Sequence, residues 1–255
     1  MRLLKKNTLQ FERIISLGFF CSVALELEKY GRRDRSYPFD WVISDIHSIN
    51  NLMKNDFTDL FSEELLYRNS DYPYIIHHKN YTFDFYHEFD SNLSIESQIK
   101  SVESKYRRRI NNFYTNIKTP TLFIRYLLYD ELPFWTEKEN ELMLQLKKFN
   151  KDNSVLLIAN RGVTFDHEKL TEGVVALFEV DPNEKDTVSR NFLQDNKHVR
   201  DFILTINYPN KVKTKNYYVF FLKKVKTTTI KIFTRLGFLF RQISQNYNNR
   251  FSSTG

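Results

Sequence analysis

Apolar and β-branched positions gather over Phe11–Leu17 and stop at Gly18, the pattern of a short strand that runs into a turn. Val23, Ala24 and Leu27 then fall on one helical face, and Gly31 closes a helix that begins at Cys21. The stretch Arg32–Trp41, RRDRSYPFDW, is too polar and proline-broken for a regular element and reads as an ordered loop. Helical patterns follow at Ile46–Met53 and Asp59–Tyr67, and the aromatic stretch Tyr72–Phe85 reads as two strands joined near Lys79 and Asn80. Ile95, Ile99, Val102, Tyr106, Ile110 and Phe113 form the apolar stripe of a long charged helix, Ile95–Tyr114. Behind Pro120 comes a strand, Thr121–Tyr126. A helix follows, opened by Thr136 and Glu139 as a capping box and ending near Phe149. Ser154–Ala159 is apolar throughout, as in strands buried on both faces. Gly173–Val180 reads as a further strand, Asp186–Asn196 as a helix, and Val199–Ile206 as a last strand or helix. Strands alternating with helices predict a three-layer α/β domain with a largely parallel central sheet. Sites in such folds collect beyond the carboxyl ends of the strands, which is where Cys21 falls.

Charge adds an appendage to this domain. The net charge of +7 is uneven: from Phe202 onward there are ten Lys or Arg and no acid, which leaves 28 bases against 31 acids before it. The expected division is a domain over residues 1–208 and a basic, aromatic-rich tail over 209–255. Stretches such as Tyr217–Leu222 and Ile230–Arg241 mix bulky apolar residues with cations only, the composition of a segment that lies on an anionic membrane surface, each cation adding about 1 kcal/mol. No RNP, zinc-finger or helix-turn-helix pattern accompanies the tail, so no specific nucleic acid is expected as a partner. The first fifteen residues lack a signal-peptide core, and no apolar stretch approaches the ~18 residues of a membrane span. With a single cysteine, no disulfide can form within the chain. The expected setting is therefore cytoplasmic, with attachment to the inner membrane face through the tail.

The candidate chemistry centres on that cysteine. A thiol attacks as thiolate, and a helix N-terminus stabilises negative charge through its dipole and free N–H groups, so a lowered Cys21 pKa is expected. The same amides could receive an oxyanion, which makes Gly18 in the turn a substrate-binding position. A cysteine nucleophile needs a base oriented by a third group. His87, just after the aromatic strand, is the first choice. His77 and His78 alternate faces inside a strand, and His47, His167 and His198 stand in polar surroundings. Asp40 is the expected orienter, with Glu88 and Asp90 as alternatives. Phe39 and Trp41 read as core anchors. Arg125, a charge inside an apolar strand, must either pair with an acid of the Arg32–Trp41 loop or bind a substrate carboxylate or phosphate. No metal is expected: the histidines show no HExxH spacing, and a single cysteine cannot build a zinc cluster. Nor is there a glycine-rich phosphate loop.

Ile15-Ser16-Leu17-Gly18-x-x-Cys21, Ala24-x-x-Leu27, Gly31-x-Arg33 and Ser36-Tyr37-Pro38-Phe39-Asp40-Trp41 resemble the opening motif of the DUF1796 family, bacterial proteins grouped as papain-like cysteine peptidases. Matches at His87 and at Leu122–Tyr126 are weaker. The resemblance implies a papain-like cysteine-site arrangement, with Cys21 and His87 as the catalytic pair of a thiol-dependent hydrolase acting on an amide or ester in a small-molecule, peptide or glycan substrate, without a cofactor. The strand–Gly–Cys–helix opening also resembles a capsule-biosynthesis group with a cysteine-protease-like fold. That resemblance implies an acyltransferase using coenzyme A in surface-polysaccharide assembly. A third reading, from a different class, is a non-catalytic binding module with Cys21 in the core.

Overall fold

A computed structural model describes residues 10–128, 130–162, 170–182 and 188–206. The tail expected over 209–255 lies outside the described residues. Four parallel strands, β1 (Arg13–Ser16), β6 (Thr121–Tyr126), β7 (Ser154–Asn160) and β8 (Val174–Val180), form one sheet in the order β1-β6-β7-β8. A second sheet is antiparallel and has the order β2-β5-β4-β3, from β2 (Val42–Ser44), β3 (Leu66–Arg68), β4 (Ile76–His78) and β5 (Phe83–Phe85). The helices are α1 (Cys21–Lys29), α2 (Ile46–Lys54), α3 (Ile95–Asn116), α4 (Glu141–Phe149), α5 (Phe192–Asp195) and α6 (Lys197–Thr205). The fold is mixed α/β.

The parallel sheet is buried on both faces, which explains its nearly continuous apolar strands. On one face Leu122, Ile124, Leu156 and Ile158 pack with Val23 and Leu27 of α1 and Val199 and Ile203 of α6. On the other, Phe123, Val155 and Leu157 pack with Tyr106 and Phe113 of α3 and Leu142 and Leu146 of α4. Helices thus cover both sides of this sheet. The antiparallel sheet is an addition to the expected layers. Its β3 replaces the end of the helix expected over Asp59–Tyr67: Asp56 and Phe57 take positive φ (52° and 58°), only Glu63–Leu65 forms a short 3-10 turn, and Tyr67 pairs with His77. Thr136 does not cap α4. Its hydroxyl donates back to the Pro133 carbonyl (2.9 Å), and the Asn140 side chain takes the cap by accepting from Met143 N (2.9 Å). Val199–Ile206 resolves as helix.

One buried cation joins the two sheets. Arg125, in β6, is 0% exposed, and its guanidinium donates through Nε to Glu131 (2.9 Å), through Nη1 to the Leu17 carbonyl (2.7 Å) and through Nη2 to the Ser44 carbonyl (2.8 Å) and Glu131. Glu131 also accepts from Ile46 N (2.8 Å), at the start of α2. The ends of β1 and β2 and the beginning of α2 therefore meet at one ion pair. Gly18 fits against it: φ is +79°, and a Cβ there would stand 3.1 Å from Arg125 Nη1 and 3.1 Å from Ser44 Oγ. Neighbouring backbone bonds fix the turn, with Tyr126 N donating to Gly18 O (3.1 Å) and Ser44 N to Phe19 O (2.9 Å).

Removing one partner leaves a buried charge alone, so Arg125→Met should cost about 3–5 kcal/mol in urea unfolding, while Arg125→Met with Glu131→Leu recovers much of that loss. Equal destabilisation by the single and double variants would contradict this account. Gly18→Ala combines a left-handed φ with two close contacts and should cost about 1–3 kcal/mol in the same assay.

Candidate active site

Cys21 is the first residue of α1 and follows the carboxyl end of β1 through the Gly18 turn. The N-cap, Phe20, is extended and supplies no side-chain hydrogen bond, so no cap side chain occupies the helix's opening amides. Glu26 anchors the helix from its far side. It accepts from Leu193 N (3.1 Å) and Gln194 N (2.9 Å) at the start of α5 and pairs with Lys29. The expectation of a lowered thiol pKa fails. Burial pushes the Cys21 thiol up to about 11, against the opposing pull of the Arg190 charge and a backbone N–H. The residue is partly exposed even though its surroundings are densely packed. Desolvation thus exceeds what one helix end supplies, and the resting group is a neutral thiol.

The antiparallel sheet presents one face to the Phe19–Cys21 turn. Phe83, Phe85 and Ile76 point into the core shared with α3, while Ile43, Ile75 and Tyr86 share the other apolar cluster with Phe19 and Phe20. Asp84 sits opposite Ile43 in the β2–β5 register and belongs, by alternation, to that second face. It holds His77: Nδ1 lies 2.6 Å from Asp84 Oδ1, and Nε2 lies 2.8 Å from Asn69 Nδ2. Asn69 Oδ1 accepts from Asp71 N and Tyr72 N, which fixes its amide as donor to Nε2 and so sets His77 as the Nδ1–H tautomer, donating to Asp84. Tyr86 is 9% exposed; burial pushes its phenol far above the ordinary range, reinforced by the nearby charges of Asp84, Tyr74 and Cys21. Sequence reasoning passed over Tyr86, Asp84 and His77, although the alternation in Phe-Asp-Phe-Tyr already put Asp84 and Tyr86 on the face opposite the two phenylalanines.

The other expected residues divide. His87 is exposed in the bend after β5, where strict alternation lapses, with its ring 6.5 Å from that of Tyr86. Desolvation holds its imidazole below the usual histidine range, against the charge of Glu88. No hydrogen bond joins it to Cys21 or Asp40 among the described residues. Asp40 is a loop clamp: its Oδ2 accepts from Arg33 Nη2 (2.9 Å), Arg33 Nε (3.0 Å) and Tyr37 N (2.7 Å). All of these bonds fall on Oδ2 and lie inside the loop, while Oδ1 is buried and, among the described residues, meets no hydrogen-bond partner; no bond joins Asp40 to a histidine. Glu88 is taken by Arg109 (2.7 Å) and Lys105. Asp90 caps its own turn through Asn92 N (2.8 Å). Arg125 and Gly18, expected as substrate contacts, build the junction between the sheets, and the acid that pairs Arg125 is Glu131 rather than one of the Arg32–Trp41 loop. Phe39 is core, while Trp41 is half-buried under the Arg33 guanidinium (5.1 Å). His78 is buried between Asp59 O (3.1 Å) and Asn80 N (3.1 Å). His47 and His198 are exposed, and His167 lies outside the described residues. Among the described residues no group of three or more His, Cys, Asp or Glu could hold a metal ion, and no helix is long and apolar enough to cross a membrane.

Comparison with known proteins gives two matches. The model of a family described as "Putative papain-like cysteine peptidase (DUF1796)" matches residues 12–167. The chain is also similar to "Uncharacterized protein R408" of Acanthamoeba polyphaga mimivirus, at 36% identity over 123 residues, covering 39% of this chain and 54% of that protein. The chain thus spans about half the length of this curated relative. No solved structure matches.

A buried neutral thiol has a measurable consequence. Alkylation of Cys21 by iodoacetamide should be slow at neutral pH in the folded protein and should rise with pH toward about 11, whereas the unfolded chain should show the ordinary midpoint near ~8.5. Because folding raises this pKa, the stability it confers is complete below the unfolded value and is lost as pH climbs toward the folded one. A folded-state midpoint at or below the unfolded one would contradict the desolvated site.

Proposed function

The chain belongs to the DUF1796 family, and from that membership we propose that it is a thiol-dependent hydrolase with a papain-like site, in which Cys21 attacks an amide or ester carbonyl and His87 is the general base. The observation that carries this reading is the position of the chain's single cysteine: it opens α1 at the carboxyl end of β1, and the N-cap Phe20 supplies no side-chain hydrogen bond to the helix's first turn. Support for the base comes from His87's exposure, its neutral resting state and its place beside Tyr86, whose phenol feels the Cys21 charge.

The high thiol pKa decides the order of events. A preformed thiolate–imidazolium pair is disfavoured, so proton transfer accompanies attack: the Cys21 S–H proton passes to His87 as the sulfur–carbon bond forms and the carbonyl electrons move onto oxygen. The amides at the start of α1 receive that oxyanion. Collapse of the intermediate expels the amine or alcohol, which takes the proton from the imidazolium and leaves a thioester. Water, deprotonated by His87, then releases the acid and restores the thiol.

A p-nitrophenyl ester series tests the proposal. Cys21→Ser should abolish turnover and the acyl-enzyme burst, and His87→Ala should lower kcat/KM about 10²–10⁴-fold. Activity should fall as the pH drops through the depressed His87 pKa, below the ordinary ~6.5, because protonation removes the base. A second reading has its own observation, the 2.6 Å His77–Asp84 hydrogen bond, which orients an imidazole as catalytic bases require. Loss of turnover in His77→Ala with retention in His87→Ala would assign the base to that pair. Turnover unaffected by Cys21→Ser would end the thiol mechanism.

A further inference from the structure

The Tyr86 hydroxyl is buried and, among the described residues, meets no hydrogen-bond partner. A sealed, unsatisfied hydroxyl is costly, and groups of that kind persist where a partner arrives later. Its surroundings identify the partner. Tyr86 belongs to the apolar cluster that holds Phe19 and Phe20, the residues that lead into Cys21, and it is close enough for the Cys21 charge to act on its phenol. The charged and titratable groups around the pair come from several elements: Arg190 ahead of α5, Asp84 of β5 with its bonded His77 of β4, and Tyr74 of the preceding loop. Asp84 is an acceptor already engaged by His77, so it is not the awaited anion.

We propose that Tyr86 is a catalytic residue whose hydroxyl donates a hydrogen bond to the sulfur of Cys21 once that sulfur becomes an anion. This deepens the role given to Cys21 above and rests on that reading. In the resting protein the sulfur is a neutral thiol and a weak acceptor, which leaves the hydroxyl idle. When the base removes the thiol proton, the sulfur gains charge and draws the Tyr86 hydroxyl onto it. The phenol keeps its own proton throughout, and no bond to Tyr86 forms or breaks. Its strongly raised pKa keeps it a neutral donor across the working pH range. A donor that acts only on the charged form favours ionisation selectively, in a site that otherwise opposes it.

The test uses the full chain and iodoacetamide, whose attack forms the S–C bond and releases iodide. It needs no substrate and reports only on the single cysteine. Tyr86→Phe keeps the ring and removes the donor. Below the thiol pKa, at a fixed pH near 8, the variant should be alkylated about three- to tenfold more slowly than the parent, corresponding to a midpoint raised by up to about one unit. In denaturant the two rates should coincide. Introducing 3-fluorotyrosine at Tyr86, a stronger donor of nearly the same shape, should shift alkylation the opposite way. Rates that superimpose in the folded state, or a faster Tyr86→Phe variant, overturn the proposal, as would a fluorotyrosine variant that moves with Tyr86→Phe. Alkylation and ester turnover fail separately. A shifted alkylation profile in a protein without Cys21-dependent turnover supports the donor while removing the hydrolase. Cys21-dependent turnover with an unshifted profile does the reverse.

Discussion

The arrangement depends on a guanidinium with no access to water. Arg125 stands in the middle of a buried strand, where a charge is tolerated only if its donors are used, and here two go to Glu131 and two to carbonyls that end β1 and β2. That requirement makes it an organiser. The carbonyl of Leu17 must stop where Nη1 can reach it, so the chain turns at Gly18. Ser44 must come alongside, so the antiparallel sheet docks against the end of the parallel one. Glu131 then brings in the start of α2. The glycine at 18 follows from the same constraint, since any side chain there would displace the cation or the Ser44 hydroxyl.

Two opposing electrostatic effects meet above this junction. The start of α1 favours negative charge at Cys21 and Arg190 adds to it, but burial of the sulfur removes the water that would otherwise solvate a thiolate. Desolvation wins, as it does for many buried acids. A thiol kept neutral at rest is shielded from incidental oxidation and alkylation, which act on the thiolate. Its reactivity is therefore conditional on the groups that assist its ionisation.

Much of this was legible locally. The strand, glycine turn and helix that place Cys21 are set by neighbours within about ten residues, and β6 and β7 announce themselves as apolar runs. β2 and β3 do not, because three residues are too short to show a period and both exist through pairing with β5 and β4. That Arg125 must be paired was readable from its apolar setting. Which acid pairs it was not, because Glu131 sits beyond the strand and reaches back only when the chain turns. The partner of Asp40 was hidden for a related reason: a carboxylate in a loop rich in arginines meets whichever cation the loop folds onto it, and here Arg33, seven residues away, bonds its Oδ2. The face carrying Asp84 and Tyr86 was implicit in the alternation of β5, but its direction depended on the docking of the second sheet.

Sequence likeness to the family ends at residue 167, yet the cluster on the α1 side of the parallel sheet does not. Val175, Phe178, Phe192, Leu193, Val199 and Ile203 all come later and pack with Val23 and Leu27. Glu26 on α1 likewise finds its amide donors at Leu193 and Gln194. A fragment trimmed to the shared segment would bare the β7 edge and one flank of the nucleophile helix, and would strand a buried carboxylate without its donors. The evolutionary unit and the cooperative unit therefore differ in extent. The helix that Cys21 opens is held in place partly by amides 167 and 168 positions beyond the Glu26 they bond.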